Sequence, residues 1–369
     1  MFKNLNKKGG VFKTSSANAK RKQHIAYQNY LIKKQQMFQQ QMFQQQMFQQ
    51  QKSQHANQIT NNNSITKELN LIFNNDKIIP NQNKKNDEVA YIILYRENNS
   101  ISDLYRLRNL YYTILLTGKL FNFNIYITEI GKSKSSKLAK IISKFKNFNI
   151  KHNFILNNSG NFDRAHGFNC TIKHFIGKEQ ILIMGDCDLP LKQNIQPLIH
   201  HIKTNKYYFI SPYNVIEKLD NHNTTQYCNA KALGNNGIHK SNLYTITGGI
   251  LIANRKIFEK LGLWFEYMTY GCEDRALDVI LLEKYKAKTF IDNYNYIHLW
   301  HPRDNTDNDY YIVYNNKKYH KETYHKILFN CMCLDRDRRT MHSKCKHNTE
   351  KIWGHEYNKQ KTGDLNKYK

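Results

Sequence analysis

The chain has 369 residues, of which 40% are hydrophobic, enough to bury the core of one large domain or two. Lys and Arg number 56 against 29 Asp and Glu, so the formal net charge is +27. This excess predicts attraction to polyanions such as nucleic acid, anionic lipid or phosphorylated substrates. No run approaches the roughly 18 apolar residues of a membrane span, and the basic start lacks the apolar segment of a secretory signal. We therefore expect a soluble, cytoplasmic protein.

Residues 1–85 differ in composition from the rest of the chain. The first 67 residues contain no acidic residue, and "QQMFQQQMFQQQMFQQQK" is followed by an Asn-rich stretch. The Met-Phe pairs recur every five residues, which fits neither the helical period nor strand alternation. We predict a disordered region over 1–85, in which the repeat is either a product of replication slippage or a fraying, self-associating segment.

From Glu88 onwards, strand patterns alternate with helix patterns. Repetition at this spacing predicts right-handed βαβ units and a mostly parallel, Rossmann-like sheet flanked by helices. The predicted strands are "EVAYIILYR", "FNIYITEI", "IKHNFIL" and "QILIMGD", and the helices between them are 102–117, "SSKLAKIISKFKNF" and "FDRAHGFNCTIKHFI".

The fourth predicted strand ends in two carboxylates, in "ILIMGDCDLPL". Its continuous apolar run indicates a central strand buried on both faces. Asp186 and Asp188 are spaced i, i+2, so in an extended chain both point the same way. Carboxylates that converge at the carboxyl end of a strand suit a divalent metal and a phosphate-bearing ligand. The alternative is a loop, with Asp186 in an Asx-turn and Asp188 near the N-cap of a helix that starts at Leu191.

A second segment follows the same strand and helix logic. "TITGGILIANRKIFEKLGLWFEYMTYGCEDRALDVILLEKY" predicts a strand opened by two glycines, a short helix, an aromatic loop and a helix introduced by Glu273 and Asp274. "TFIDNYNYIHLWHPR" predicts a strand that ends in two histidines, and residues 317–334 are expected to be helical.

Four pieces in this order resemble the GT-A fold glycosyltransferases, especially inverting enzymes related to β-1,4-galactosyltransferase and the bacterial chondroitin polymerase domains. They are "RAHGFN", "GDCDLPL", "TGGILIANRKIF", and "YGCED" followed by "HLWH". The resemblance runs from about Glu88 to about Arg303. It implies a GT-A domain over 86–310. The sequence pattern beyond it predicts a helical extension and basic tail over 311–369.

The resemblance implies a metal site at the two aspartates. Asp188 would bind Mn²⁺ or Mg²⁺, and Asp186 would face the nucleotide ribose or bind the metal through water. His298 and His301 would supply an imidazole ligand, which shifts the preference toward Mn²⁺. Either histidine fits, and the alternative is an exposed loop histidine before Pro302.

The resemblance also implies the remaining roles. Asp274 would remove the proton of the acceptor hydroxyl, and Glu273 would bind the acceptor sugar; the alternative is that the pair only complements a helix dipole. Trp264 would stack on an acceptor sugar, unless it is a core residue. The residues expected near the nucleotide or the donor sugar are Arg96, Glu129, Arg164, Asp186, Gly248 and Gly249.

The sequence departs from the family pattern in the aromatic loop. Leu263 stands where the family commonly has a second glycine, and Phe265 stands where it has an aspartate. Galactosyltransferase relatives also carry a membrane anchor, whereas we expect this protein to have none and to act in the cytoplasm. These departures affect the expected specificity for the donor sugar and the acceptor more than they affect the expected class of reaction.

The expected function is therefore transfer of a sugar from a nucleotide-sugar, expected to be a UDP-sugar, to a hydroxyl of a carbohydrate or glycoconjugate, with inversion. Two alternatives stay open: a basic protein that binds single-stranded nucleic acid, and a degenerate transferase retained as a scaffold.

The seven cysteines are odd in number, which suits reduced thiols better than a disulfide framework. A zinc site is a further candidate, with a C-x-C start that departs from the usual zinc spacing. Its residues would be Cys331, Cys333, His342, Cys345 and His347.

Overall fold

The structure is a computed structural model. It describes residues 63–74, 85–97, 100–157, 162–243, 246, 248–264 and 273–302, and four short strands within 311–341. The chain divides into two units, Met1–Lys67 and Glu68–Lys369, and the site described below lies in the second.

A seven-stranded sheet forms the centre of the second unit, in the order β3-β2-β1-β4-β8-β5-β9. Neighbouring strands are parallel except at β8, which runs antiparallel to both β4 and β5. The strands are β1 (Asn86–Tyr95), β2 (Phe123–Gly131), β3 (Ile150–Leu156), β4 (Ile181–Gly185), β5 (Phe209–Ser211), β8 (Ile250–Asn254) and β9 (Thr289–Ile291).

The central strands are buried because helices cover both faces of the sheet. In β4, Ile181 to Met184 are at most 2% exposed, and Ile183 pairs with Tyr91 of β1 on one side and Ile252 of β8 on the other. Such continuous burial is what an apolar run without alternation predicts. The α/β architecture predicted from the sequence is confirmed: the domain is a mostly parallel sheet flanked by helices.

Helices with clear caps connect the strands. Ser100 and Asp103 form a capping box at the start of α2, and Asp163 accepts from the His166 N–H to cap α4. The helices are α1 (63–74), α2 (Ile101–Leu120), α3 (Ser136–Ile142), α4 (Arg164–His174), α5 (Ile195–Lys203), α6 (Asn221–Cys228), α7 (Arg255–Lys260) and α8 (Glu273–Val279).

A second, three-stranded sheet has the order β10-β6-β7. It contains β6 (Val215–Lys218), β7 (His239–Asn242) and β10 (Asn295–His298), and β10 runs parallel to β6. The sequence predicted one strand over 289–303, which is wrong. The chain leaves the large sheet after β9 and enters the small sheet at β10, which brings His298 to the edge where β4 ends.

One alternative and two predictions of local structure are corrected. The helix after β4 starts at Ile195 with Asn194 as its N-cap, so Asp188 does not cap it. Residues 63–74, expected to be disordered, form α1, because Leu69 and Ile72 supply a buried apolar face. Lys317–His320, expected to be helical, is strand β12, which pairs antiparallel with β11 (Tyr311–Tyr314).

The candidate zinc residues, 331–347, lie outside the residues whose side chains the structure describes. Among the described helices, none combines the length and the apolar character that crossing a bilayer requires.

Candidate functional site

The ends of β4 and β10 meet at one edge of the fold. The Leu299 N–H, just after β10, donates to the Asp188 carbonyl (2.9 Å), and the Asp186 N–H donates to the carbonyl of Gly249 (3.0 Å). These backbone bonds fix three segments that are far apart in the sequence. The side chains at this edge therefore come from the Asp-Cys-Asp segment, the Gly-Gly segment and the His298–His301 turn.

Asp188, His298 and His301 form a group with the geometry of a metal site. One ligand atom from each lies within 4.8 Å of the others. The Asp188 Oδ2 is 3.0 Å from His301 Nε2 and 3.5 Å from His298 Nε2. Both histidines, rather than one, face the carboxylate.

The second Asp188 oxygen indicates what this group lacks. Asp188 Oδ1 is buried and has no hydrogen-bond partner in the described part of the chain. A buried carboxylate oxygen without a donor is costly, and a cation would satisfy it. One carboxylate and two imidazoles are a donor set for a first-row divalent metal such as Mn²⁺ more than for Mg²⁺, which prefers oxygen ligands. The residues present therefore fit a bound divalent metal ion, as the resemblance implies.

The histidines control the charge of Asp188. Burial alone would raise the pKa of Asp188, but the nearby His298 and the hydrogen bond from His301 outweigh burial and hold that pKa below its ordinary value. For His301 the directions are reversed. Burial lowers its pKa, but the hydrogen bond to Asp188 and the charge of Asp188 outweigh burial, so the His301 pKa is raised. The carboxylate is therefore ionised, as a metal ligand must be.

Asp186 belongs to a different group, centred on Arg164 at the start of α4. The Arg164 Nε donates to Asp186 Oδ1 (3.0 Å), its second terminal nitrogen donates to the Gly249 carbonyl (3.4 Å), and its first lies 3.6 Å from Glu273 Oε1. The guanidinium is buried, and burial opposes its charge, but Asp186 and Glu273 outweigh this and raise the Arg164 pKa. Arg164 therefore joins the acidic residue after β4 to the one that starts α8.

Trp264 is a core residue, so its predicted role as an exposed stacking platform is wrong. Its ring is fully buried between Phe168 (5.6 Å between ring centroids) and Phe258 (6.1 Å). The Arg164 guanidinium lies over the ring at 5.2 Å. Trp264 thus supports the arginine from beneath instead of offering a face to a sugar.

Glu273 and Asp274 differ in exposure. Glu273 is 4% exposed and pairs with Arg164, whereas Asp274 is partly exposed and lies within the electrostatic reach of the same guanidinium. Further along α8, Asp278 accepts from the Ile246 N–H (2.9 Å), which ties the helix to the segment before β8. Both acidic residues are positioned by the helix start.

The Gly-Gly segment approaches the Asp-Cys-Asp segment closely. Gly249 has φ of +51°, and a Cβ there would overlap Leu189 and the Tyr213 hydroxyl. The same hydroxyl donates to the Gly248 carbonyl (2.6 Å). Glycine is therefore required at 249 both by the backbone conformation and by the contact.

We expect Gly249→Ala to lower the free energy of unfolding by about 3 kcal/mol, from left-handed backbone strain and overpacking together. Gly262→Ala is the matched control, because Gly262 also has a positive φ (+95°) but a Cβ there meets nothing within 4 Å. Chemical denaturation of both variants measures the difference. Equal decreases of the free energy of unfolding in the two variants would show that overlap of the new Cβ with Leu189 and Tyr213 does not destabilise the protein.

Arg96 and Glu129, at the ends of β1 and β2, have contacts of their own. The Arg96 guanidinium lies over the Phe162 ring (5.3 Å). Glu129 is buried, accepts from the Ser135 N–H (2.6 Å) and lies 3.0 Å from His152 Nε2. The structure therefore places Glu129 as an anchor of the loop before α3.

The sequence prediction missed the role of α2. The Thr113 hydroxyl donates to the Cys187 carbonyl (3.0 Å), and the Leu191 N–H donates to the Thr117 hydroxyl (3.3 Å). Both threonines are buried. The signal in the sequence was a polar residue at every fourth position, Asn109, Thr113 and Thr117, on a helix that is otherwise rich in apolar and aromatic residues.

No protein-family model and no curated protein matches the sequence. Among solved structures, the chain is similar to GalNAc-T7 with UDP, GalNAc and Mn²⁺ (TM-score 0.45, 11% identity, 74% of this chain and 55% of that one). It is also similar to mannosyltransferase PcManGT from Pyrobaculum calidifontis in complex with GDP-Man and Mn²⁺ (0.37, 11%, 64% of each chain). A third is the catalytic domain of Drosophila β1,4-galactosyltransferase 7 with xylobiose (0.36, 14%, 65% and 80%).

The matched structures also include a 4-diphosphocytidyl-2C-methyl-D-erythritol synthase from Anaerococcus prevotii and a glucose-1-phosphate thymidylyltransferase from Bacillus anthracis. The chain spans less than two thirds of the mannosyltransferase and about half of GalNAc-T7. At these identities and TM-scores, the function has to be argued from the residues of the site.

Proposed function

We propose that the chain is a metal-dependent glycosyltransferase that transfers a sugar from a nucleotide-sugar donor to a hydroxyl acceptor. The observation that carries this proposal is the meeting of Asp188, His298 and His301 at the ends of β4 and β10, with Asp188 Oδ1 buried and without a described hydrogen-bond partner. In open α/β sheets, ligands bind outside the carboxyl ends of strands, which is where this group lies.

In this proposal, Asp188, His298 and His301 hold Mn²⁺, or Mg²⁺ with lower preference, and Asp186 faces the nucleotide or binds the metal through water. The metal, when bound, neutralises the charge that develops on the departing nucleoside diphosphate. Asp188 is suited to this role because its carboxylate stays ionised while it is buried.

In the same proposal, Arg164, Gly248 and Gly249 form the part of the site that binds the nucleotide-sugar donor. Arg164 stays cationic and offsets the charges of Asp186 and Glu273, so that two carboxylates can lie near a diphosphate. Gly248 and Gly249 allow close approach of the donor sugar. We extend the proposal to Arg96 and Glu129 as residues on the nucleotide side, and to UDP as the nucleotide.

Asp274 is proposed as the general base and Glu273 as its neighbour that binds the acceptor sugar. Asp274 is the more exposed of the two, and a base must reach the acceptor hydroxyl as that hydroxyl attacks the anomeric carbon. Attack from the face opposite the leaving diphosphate inverts the configuration of the sugar.

A nucleic-acid-binding protein is a weaker candidate for this domain. The site groups four acidic residues with one arginine, and these carboxylates repel a phosphate backbone unless a metal is present. The four are Asp186, Asp188, Glu273 and Asp274.

A panel of nucleoside diphosphates, each with Mn²⁺, Mg²⁺ or EDTA, tests the proposal by thermal unfolding of the full chain. At 100 times its Kd, the bound diphosphate adds about 2.7 kcal/mol to the free energy of unfolding, which raises Tm by roughly 5 to 10 °C. His301→Ala should remove the shift, whereas the control His200→Ala, on α5, should keep it. If no diphosphate shifts Tm with either metal, the proposal fails.

A further inference from the structure

The turn that carries the two histidines is held by side chains of α2. The Asn109 amide donates from Nδ2 to the carbonyls of Leu299 (3.3 Å) and Trp300 (3.1 Å). A terminal nitrogen of Arg108 donates to the same Trp300 carbonyl (3.0 Å). These carbonyls lie between His298 and His301, so α2 fixes the backbone from which both imidazoles project.

Arg108 fixes the orientation of the Asn109 amide. The Asn109 Oδ1 accepts from Arg108 Nε (3.2 Å) and from one terminal nitrogen (3.1 Å), so the Nδ2 end must face the turn. Arg108 is 1% exposed, and its other terminal nitrogen donates to Asn221 Oδ1 (3.1 Å) and pairs with Glu68 (3.4 Å). The guanidinium therefore has little freedom to release the amide.

Two contacts of Trp300 complete the arrangement. The backbone N–H of Trp300 donates to the Thr224 hydroxyl on α6 (2.8 Å). The Trp300 ring packs edge-on against the Tyr105 ring, with ring centroids 5.0 Å apart. The backbone between His298 and His301 is thus hydrogen-bonded by side chains of two helices, α2 and α6.

Helix α2 also contacts the segment that carries Asp188, the third residue of the proposed metal site. Thr113, one turn after Asn109, donates to the carbonyl of Cys187, the residue before Asp188. One face of α2 therefore contacts both segments that supply metal ligands, although they are more than a hundred residues apart in the sequence.

We propose that Asn109, held by Arg108, is a positioning residue for the metal site. This inference rests on the proposed function, because it assumes that Asp188, His298 and His301 bind the metal. Metal ligands bind tightly when the residues behind them fix their orientation, and loss of such a residue typically weakens binding 10-fold to 100-fold. Asn109 does this through the backbone of the turn, without contact to the metal.

The test is the Mn²⁺ affinity of the full chain, measured by electron paramagnetic resonance of free and bound Mn²⁺. Asn109→Leu removes both hydrogen bonds that Asn109 itself donates to the turn, and we expect about 10-fold to 100-fold weaker Mn²⁺ binding. Asn169→Leu is the matched control: Asn169 is equally buried and makes two bonds to the backbone of Trp264 (2.9 and 3.0 Å), away from the histidines. That control should bind Mn²⁺ like the wild type.

Asn109→Asp provides a second test if the leucine variant does not fold. It keeps the volume and the acceptor for Arg108 and removes the N–H donors, so it should weaken Mn²⁺ binding as well. Wild-type affinity in a folded Asn109 variant would overturn the inference. Absence of Mn²⁺ binding in the wild type would instead overturn the metal site of the proposed function, so the two failures are distinguishable.

Discussion

Asp188→Asn is expected to abolish Mn²⁺ binding and to slow sugar transfer by about 1,000-fold or more. The variant keeps the shape of the side chain but removes the negative charge of the carboxylate, whose Oδ2 faces His298 and His301. Stabilisation of a leaving diphosphate by a metal is worth several kcal/mol, and each 1.4 kcal/mol corresponds to about tenfold in rate. Release of nucleoside diphosphate in the presence of Mn²⁺ measures the effect.

Glu179→Gln is the matched control for this prediction. Glu179 is a buried carboxylate that precedes β4, whereas Asp188 follows β4. The Glu179 Oε1 accepts hydrogen bonds from the Asn124 amide (2.9 Å) and the Tyr126 hydroxyl (2.6 Å). Its loss removes the same charge at the opposite end of the strand, so it should change stability but not transfer by the folded protein. Mn²⁺-dependent transfer by Asp188→Asn at the wild-type rate would contradict the assignment.

The Asp274→Asn variant should lose transfer by about 100-fold to 10,000-fold while it binds the nucleoside diphosphate as tightly as the wild type. This range is the usual contribution of a general base. Asp274 is the second residue of α8 and is partly exposed, so its replacement removes the proton acceptor without opening the core. Single-turnover rates and calorimetric titration of the diphosphate separate the two effects.

Glu273→Gln provides the comparison that identifies a structural role. Glu273 is buried against Arg164, so the variant should lower the free energy of unfolding by about 1 to 3 kcal/mol. Asp274→Asn should leave that quantity nearly unchanged. If Asp274→Asn instead loses diphosphate binding and transfer in equal measure, Asp274 supports the fold of the site and is not the base.

The sheet was predictable from the sequence because burial on both faces leaves a clear pattern. β3 is bounded by the residues that its apolar pattern predicts, and β4 differs only at its ends. The division of 289–303 into β9 and β10 was not predictable, since each strand has only three or four residues and they join different sheets. Short strands give too few residues for a period to be recognised.

The candidate site was predictable in its residue types but not in its pairings. Asp186 and Asp188 have the spacing of two ligands on one face, yet the structure pairs Asp186 with Arg164 and only Asp188 with the histidines. That division depends on where α4 and β10 lie in space, which no local pattern encodes. For the same reason, the bonds from Asn109 to the histidine turn could not be read from the sequence.

The most direct test of the proposed metal site is electron–nuclear double resonance of Mn²⁺ bound to the full chain with UDP. We predict nitrogen couplings from two histidines, one of which disappears in His298→Ala and the other in His301→Ala, together with phosphorus coupling from the diphosphate. A spectrum that shows Mn²⁺ bound by UDP and water alone, identical with and without the protein, would contradict the account.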